Sequence, residues 1–288
     1  MASNVALVKG NDRRKIILKA LNLVKKDIKI NGKHVIIKPN LVSTSNQLAA
    51  THADCLRGIL DFLKTVYKKK VIIAEASFGN TLEGYKNFGY FDLLEEYDAE
   101  LVDLNKDDYE KIEISHGTKI RVSKTLLNPK NYIISSAILK THDTVVATLS
   151  LKNIVMGAPI NNWLGRDKGK VHQGTKEINY DIFRLAKRLK PSLSVIDGFK
   201  AMEGNGPDYG DAVDVKTCIV SADFLAADRV GLEVMGIDAS KVGYLVYCSE
   251  AKMGVYELNK IKILGNKISE CKRKFRLHSS VERQYQWK

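Results

Sequence analysis

The chain has 288 residues, 44% of them hydrophobic, and a formal net charge of +13. That size suits one large core or two modest ones, and no apolar run approaches the ~18 residues that a membrane-spanning helix needs. Cys55, Cys218, Cys248 and Cys271 form no C-x-x-C pair, which argues against a disulfide framework or an all-cysteine metal cage and for reduced thiols in a cytoplasm.

The N-terminal segment lacks the basic-then-apolar order of a signal peptide and reads as a first strand, Val5–Val8. A helix follows from about Asp12, with Ile16, Ile17, Ala20, Leu21 and Val24 on one face. His34–Ile37 is a second strand, closed by Lys38-Pro39-Asn40, because proline offers no N–H to a ladder. The pattern then gives a helix over 53–67 with Thr51 as N-cap, a strand Val71–Ala76, a helix Leu82–Glu96 and a strand Glu100–Leu104. Alternation around Ile112–Val122 suggests a hairpin. Tyr132–Leu139 is a short Ile-rich run of the kind buried in parallel sheets.

Thr144–Val155 reads as helical, Gly157–Gly174 as a loop, Ile178–Leu189 as a helix ending before Pro191, and Leu193–Asp197 as a strand. A loop with four glycines spans Gly198–Gly210, and Val215–Val220 is a strand. Ser221 caps a helix reaching Val234, with Asp223 in its first turn. A helix over 239–249 and a strand Ile261–Leu264 complete the pattern. Strands alternating with helices predict an α/β fold, a mostly parallel sheet with helices on both faces. The expected division is one domain over 1–265, with two closely joined lobes (1–130 and 131–265) as the alternative, and a basic, loosely docked tail over 266–288.

Charge is uneven. Residues 1–38 and 265–288 carry the whole excess, while 119–200 holds fifteen basic against five acidic residues. Such a block attracts a phosphate, a carboxylate or a nucleic-acid backbone. Within it, Lys140, His142, Lys152 and Asn153 follow the apolar run 132–139, so they fall near the carboxyl end of a strand, where ligands bind in open α/β sheets. Lys140 and His142 are two apart, which on extended chain puts both on one side. Lys140, His142, Lys152 and the loop residue His172 are the catalytic candidates, as anion anchors and proton carriers. Lys38, Asn40, His52, Asn153 and Asn205 are the substrate-binding candidates. Asp197 and Glu203, beside a Gly/Pro-rich loop, are candidate ligands of a divalent metal together with His142. Trp163 could stack on a planar substrate or pack locally. No G-x-G-x-x-G, Walker lysine loop or G-x-S-x-G elbow is present, which disfavours the common nucleotide sites and the serine hydrolases.

Four signatures carry a resemblance. They are Ile37-Lys-Pro-Asn-Leu-Val-Ser43; Leu139-Lys-Thr-His142 with Ser150-Leu-Lys-Asn153 and Gly157; Val195-Ile-Asp-Gly198 with Met202-Glu-Gly-Asn-Gly-Pro207 and Gly210; and Ser221-Ala-Asp-Phe-Leu-Ala-Ala-Asp228 with Met235-Gly236. In this order they resemble domain-of-unknown-function family 362, over residues 3–265. The resemblance implies no assigned reaction. It does imply relatives bearing ferredoxin-like four-iron clusters, but this chain lacks the cysteine runs such clusters need, so no intrinsic iron–sulfur cluster is expected.

The expected function is a cytoplasmic enzyme binding a small carboxylate or phosphate in a basic cleft. Lys/His acid–base chemistry would serve it, with a divalent metal or a separate electron-transfer protein as optional helpers. The alternatives are a redox-accessory or cofactor-binding protein, and a nucleic-acid-binding module using the basic termini. No membrane partner is expected.

Overall fold

The computed structural model describes residues 2–288. Its main sheet begins with β1 (Ser3–Lys9), β2 (Val35–Lys38), β3 (Val71–Glu75) and β4 (Ala99–Asp103). A hairpin, β5 (Tyr109–Glu113) and β6 (Lys119–Ser123), intervenes before the chain re-enters the sheet as β7 (Tyr132–Thr141) and β8 (Ala147–Thr148). A small ribbon, β9 (Asn161–Asn162) and β10 (Gly165–Arg166), stands apart. Then β11 (Leu193–Glu203), β12 (Asp211–Ser221) and β13 (Ile261–Gly265) complete the sheet. The order is β13-β1-β12-β11-β7-β2-β3-β4, with β8 beside β7.

The strands β11, β7, β2, β3 and β4 are mutually parallel, as are β1 and β13. Strand β12 is antiparallel to both its neighbours. The fold is α/β with a mostly parallel sheet, which takes strands from both sides of residue 130.

Strand alternation sends successive residues to opposite faces. Val35, Ile37, Ile134 and Val195 pack beneath α1 (Arg13–Leu23), α2 (Ala53–Val66), α3 (Thr81–Asn87) and α4 (Asp92–Glu96). Ile36, Ile133 and Ile196 face the other layer. That layer holds α5 (Lys124–Leu127), α6 (Ser150–Gly157), α8 (Thr175–Ala186), α9 (Phe224–Met235) and α10 (Gly243–Glu250), with the one-turn α7 (Asp167–Lys170) in the connection between α6 and α8. Each fully buried Ile contributes about 1.5–3 kcal/mol, so two such layers fix the register of every central strand.

From β2 the chain winds outward through β3 to β4, then crosses back to β7 on the other side of β2 and continues to β11. The winding direction reverses between β2 and β7. In open α/β sheets the crevice outside the carboxyl ends at such a reversal is the usual ligand position.

Several local expectations change. The cap of α2 is His52, whose Nδ1 accepts the Asp54 N–H at 3.1 Å. Thr51 is occupied elsewhere: its hydroxyl accepts from Asn40 N and donates to Ser136 O. The 82–96 helix is two helices, broken where Gly89 takes a left-handed φ of 69°. Residues 144–149 are a turn and a short strand, because β8 returns to pair with Lys140 and Thr141. The expected loop after Asp197 is the continuation of β11, bulged between Gly198 and Lys200 and paired with β12 as far as Glu203. Asp223, and not Ser221, caps α9.

The basic tail is docked. After α11 (Ile268–Cys271), Arg273 N and Phe275 N donate to Val234 O and Met235 O, and Phe275 and Trp287 are buried. The tail ends in α12 (Val281–Gln284) and the Trp287 ring, which packs edge-on against Tyr247 at 5.2 Å.

Candidate functional site

At the β2/β7 reversal lies a cavity of about 100 Å³, lined by Lys38, Asn40, Glu75, Phe78, His142, Thr148, Lys152, Asn153, Met156, Gly157, Lys168, His172 and Pro207, with Leu41, Val42 and Ala76. Pockets for drug-sized ligands run to about 300–1,000 Å³, so this one accepts a small group.

Its floor is a closed polar network. Lys38 ends β2 on the α6 side, and its ammonium donates to Glu75 Oε2 (2.8 Å), Asn153 Oδ1 (3.2 Å) and Pro39 O (3.0 Å). Asn153 Nδ2 donates in turn to Lys38 O and Ser135 Oγ, and Asn40 Nδ2 donates to Asn153 Oδ1. Burial pushes the Lys38 pKa down, against the opposing pull of Glu75. All of its N–H groups have acceptors. Gly157 is required here, because a β-carbon at that position would overlap Cε and Nζ of Lys38.

The wall is built differently. Lys168 Nζ donates to the last carbonyls of α6, Met156 O and Gly157 O, both at 3.1 Å, leaving one N–H uncommitted. Lys152, 6% exposed on the first turn of α6, has no hydrogen-bond or ion-pair partner among the described residues. Thr148 Oγ1 is buried and also without a partner. Burial pushes Lys152 down to about 8, with Asp143 pulling the other way, and pushes Lys168 down to about 7.

His142 and His172 stack near these groups, with ring centres 6.5 Å apart. His172 Nδ1 lies 3.1 Å from Lys168 O; a carbonyl only accepts, so Nδ1 carries the proton and Nε2 is the free base. His142 is oriented through Nδ1, which accepts from Thr144 N at 3.0 Å and sits 2.9 Å from Asp143 Oδ1. Burial and then Lys152 push His142 down to about 3, and the same two causes lower His172. Both rings are therefore neutral near pH 7.

Six of the expected residues meet at this cavity: Lys38, Asn40, His142, Lys152, Asn153 and His172. Lys140 itself does not line it. Residue parity on β7 turns Lys140 to the α2 side, where its ammonium holds Asn40 Oδ1 (2.7 Å) and Ala49 O (3.0 Å). His142 lies beyond the strand end and turns back toward α6, because its N–H bonds Val146 O. The expected same-side pairing of Lys140 and His142 is therefore corrected. Burial, followed by Lys152, pushes Lys140 down to about 7.

His52 and Asp197 line a separate pocket, where Asp197 faces Arg13 Nε at 3.0 Å. Asp197 is on the α1 side of β11 by the same parity. Glu203 accepts from Arg276 N. The expected metal set of Asp197, Glu203 and His142 thus does not assemble, and among the described residues no three His, Cys, Asp or Glu side chains group as a metal centre. Asn205 is exposed and outside the cavity, although Pro207 from its loop reaches in. Trp163 stands 90% exposed on the β9/β10 ribbon, outside the cavity lining.

Sequence reasoning did not single out Lys168, Glu75 or Thr148, and it leaves Asp228 facing either the cleft or solvent. Asp228 is fully buried and accepts from Ser150 N (2.8 Å) and Leu151 N (3.0 Å), so it caps the helix that presents Lys152 and Asn153. Its carboxyl is pushed up to about 7 by burial, against those two hydrogen bonds.

A four-iron cluster, implied by the resemblance to iron–sulfur relatives, does not fit these thiols. Cluster ligands are thiolates. Here Cys55 pairs with Ser136 Oγ, Cys218 donates to Ile16 O, and burial pushes Cys248 up to about 12 and Cys271 up to about 11.

Among the described residues no helix is long and apolar enough to cross a membrane. The chain is 26% identical over 215 residues to the thylakoid-associated protein sll1697 of Synechocystis sp.. That match covers 73% of this chain and 65% of the relative, so the chain spans just under two thirds of the relative's length. A family model described as "Domain of unknown function (DUF362)" matches residues 35–233, the stretch holding β2, β7, α6 and every lining residue of the cavity, and the chain belongs to that family.

Proposed function

We propose that this protein is an enzyme acting on a small carboxylate- or phosphate-bearing substrate in the Lys38/Lys168/His142 cavity. One observation carries this reading. Among the described residues the Thr148 hydroxyl is buried without a partner, Lys152 Nζ has no protein acceptor and Lys168 keeps one N–H uncommitted; all three residues line the cavity, while the Lys38 ammonium on its floor is fully bonded. A buried donor without a partner costs about 1–3 kcal/mol, so an anion arriving beside Thr148 relieves that cost and takes up the free N–H groups of the two lysines as well. The Lys168 N–H and Thr148 would hold the anionic group. His172 Nε2 is a ready base, and His142 supplies a second uncommitted ring nitrogen, which suits proton transfer next to a carbonyl. Four free, buried thiols suit a reducing compartment such as the cytoplasm.

Calorimetric titration with inorganic phosphate and with small carboxylates tests the reading. Single-site binding should appear and weaken as pH rises through about 7 to 8, where Lys168 and Lys152 lose charge. Lys168→Met should weaken it roughly tenfold or more, the size of a lost charge-assisted hydrogen bond, with circular dichroism unchanged. A wild-type protein that binds neither class of anion saturably would exclude the proposal.

A further inference from the structure

The lysines at this site divide sharply by what their amines touch. Lys38 donates to three acceptors, Lys140 to two and Lys168 to two carbonyls. Lys152 donates to none, although only 6% of it is exposed. Its place on α6 also works against a fixed ammonium: it follows Ser150 and Leu151 on the first turn, where the helix dipole repels positive charge. A structural cation would be expected at an acceptor or at a helix C-terminus, where Lys168 is found. An unbonded amine in a cavity flanked by two imidazoles has the environment of a nucleophile.

We propose that Lys152 condenses with the aldehyde or ketone group of a small substrate that also carries the anionic group, forming an imine. This rests on the anion-site reading above and names the reactive half of the substrate. The Nζ lone pair forms the C–N bond while the carbonyl π pair moves to oxygen. That oxygen takes one proton from the nitrogen and one from solvent, relayed by His142 or His172, and leaves as water when its C–O bond breaks. The iminium keeps the second N–H and the positive charge. It acidifies the neighbouring carbon, from which the free Nε2 of His172 can take a proton. No oxidant or reductant is required.

Reductive trapping tests the proposal on the wild-type protein. Pyruvate or glyoxylate is added with sodium cyanoborohydride, and the product is located by peptide mass mapping. The adduct is expected on Lys152, in excess over exposed lysines such as Lys15. Acetone, the methyl ketone without the carboxylate, should label Lys152 about tenfold less, the cost of one charge-assisted contact. Lys152→Arg should keep the fold and lose the adduct. Labelling of Lys152 no greater than that of Lys15 overturns the proposal. If phosphate still binds in that case, the anion site survives and the imine alone is lost; if it does not, both readings fail together.

Discussion

Lys38 and Gly157 form a pair at the scale of single residues. The lysine can reach Glu75 only because nothing projects from Gly157. Gly157→Ala should displace the ammonium and break a buried ion pair, costing about 3–5 kcal/mol, and urea unfolding of the two proteins side by side measures it. The lysines also set a pH response. Lys140, Lys168 and Lys152 are pushed down to about 7, 7 and 8 from an ordinary 10.5. Between those values the unfolded chain binds more protons than the folded one, so stability rises with pH from about 7 to about 10. Lys140→Met should flatten that slope in denaturant melts at successive pH values. An equal slope in wild type and variant would show that Lys140 titrates normally.

Helix α6 is positioned from its ends. Asp228 on α9 holds the first two N–H groups, and Lys168 holds the last carbonyls. Asp228→Ala leaves two buried donors unpaired, so a loss of about 1–3 kcal/mol is expected, together with weaker phosphate binding because Lys152 rides on that turn. The loop carrying His142 is held from outside as well. Val146, a β-branched residue at a left-handed φ of 68°, has its N–H fixed by Gln284 Oε1 at 2.6 Å. That backbone conformation costs a β-branched residue about 1–2 kcal/mol. Gln284→Ala should lower thermal stability and raise the phosphate Kd, both followed in one calorimetric series.

For the molecule as a whole, what the sequence reveals depends on whether a feature is local. Ile36-Ile37-Lys38-Pro39-Asn40 announces a buried strand with polar groups at its end, and Tyr132–Leu139 does the same; those two ends bound the cavity. Lys168 stayed hidden in a loop with three other basic groups, because which of them turns inward depends on the carbonyls of α6. The sequence does not show which face of the sheet Asp197 and Lys140 take, because one residue of register reverses the face of a strand. The end of β11 beyond Asp197 reads as a loop, since its glycines are spelled like a turn. The docked tail carries charges that read as solvated, and only Phe275 and Trp287 hint otherwise. Deleting residues 266–288 should therefore give an aggregating chain rather than a folded one lacking a nucleic-acid arm, as size-exclusion chromatography would show.

The bond from Gln284 to Val146, with the Ser280 hydroxyl on Asp143 O, has a consequence for biosynthesis. While residues 278–284 are still inside the ribosomal exit channel, the emerged strands can pair but the histidine turn has no brace. The turn is thus held only once that segment emerges and docks, and a nascent polypeptide stalled just short of it would carry the sheet with its His142 arm unanchored.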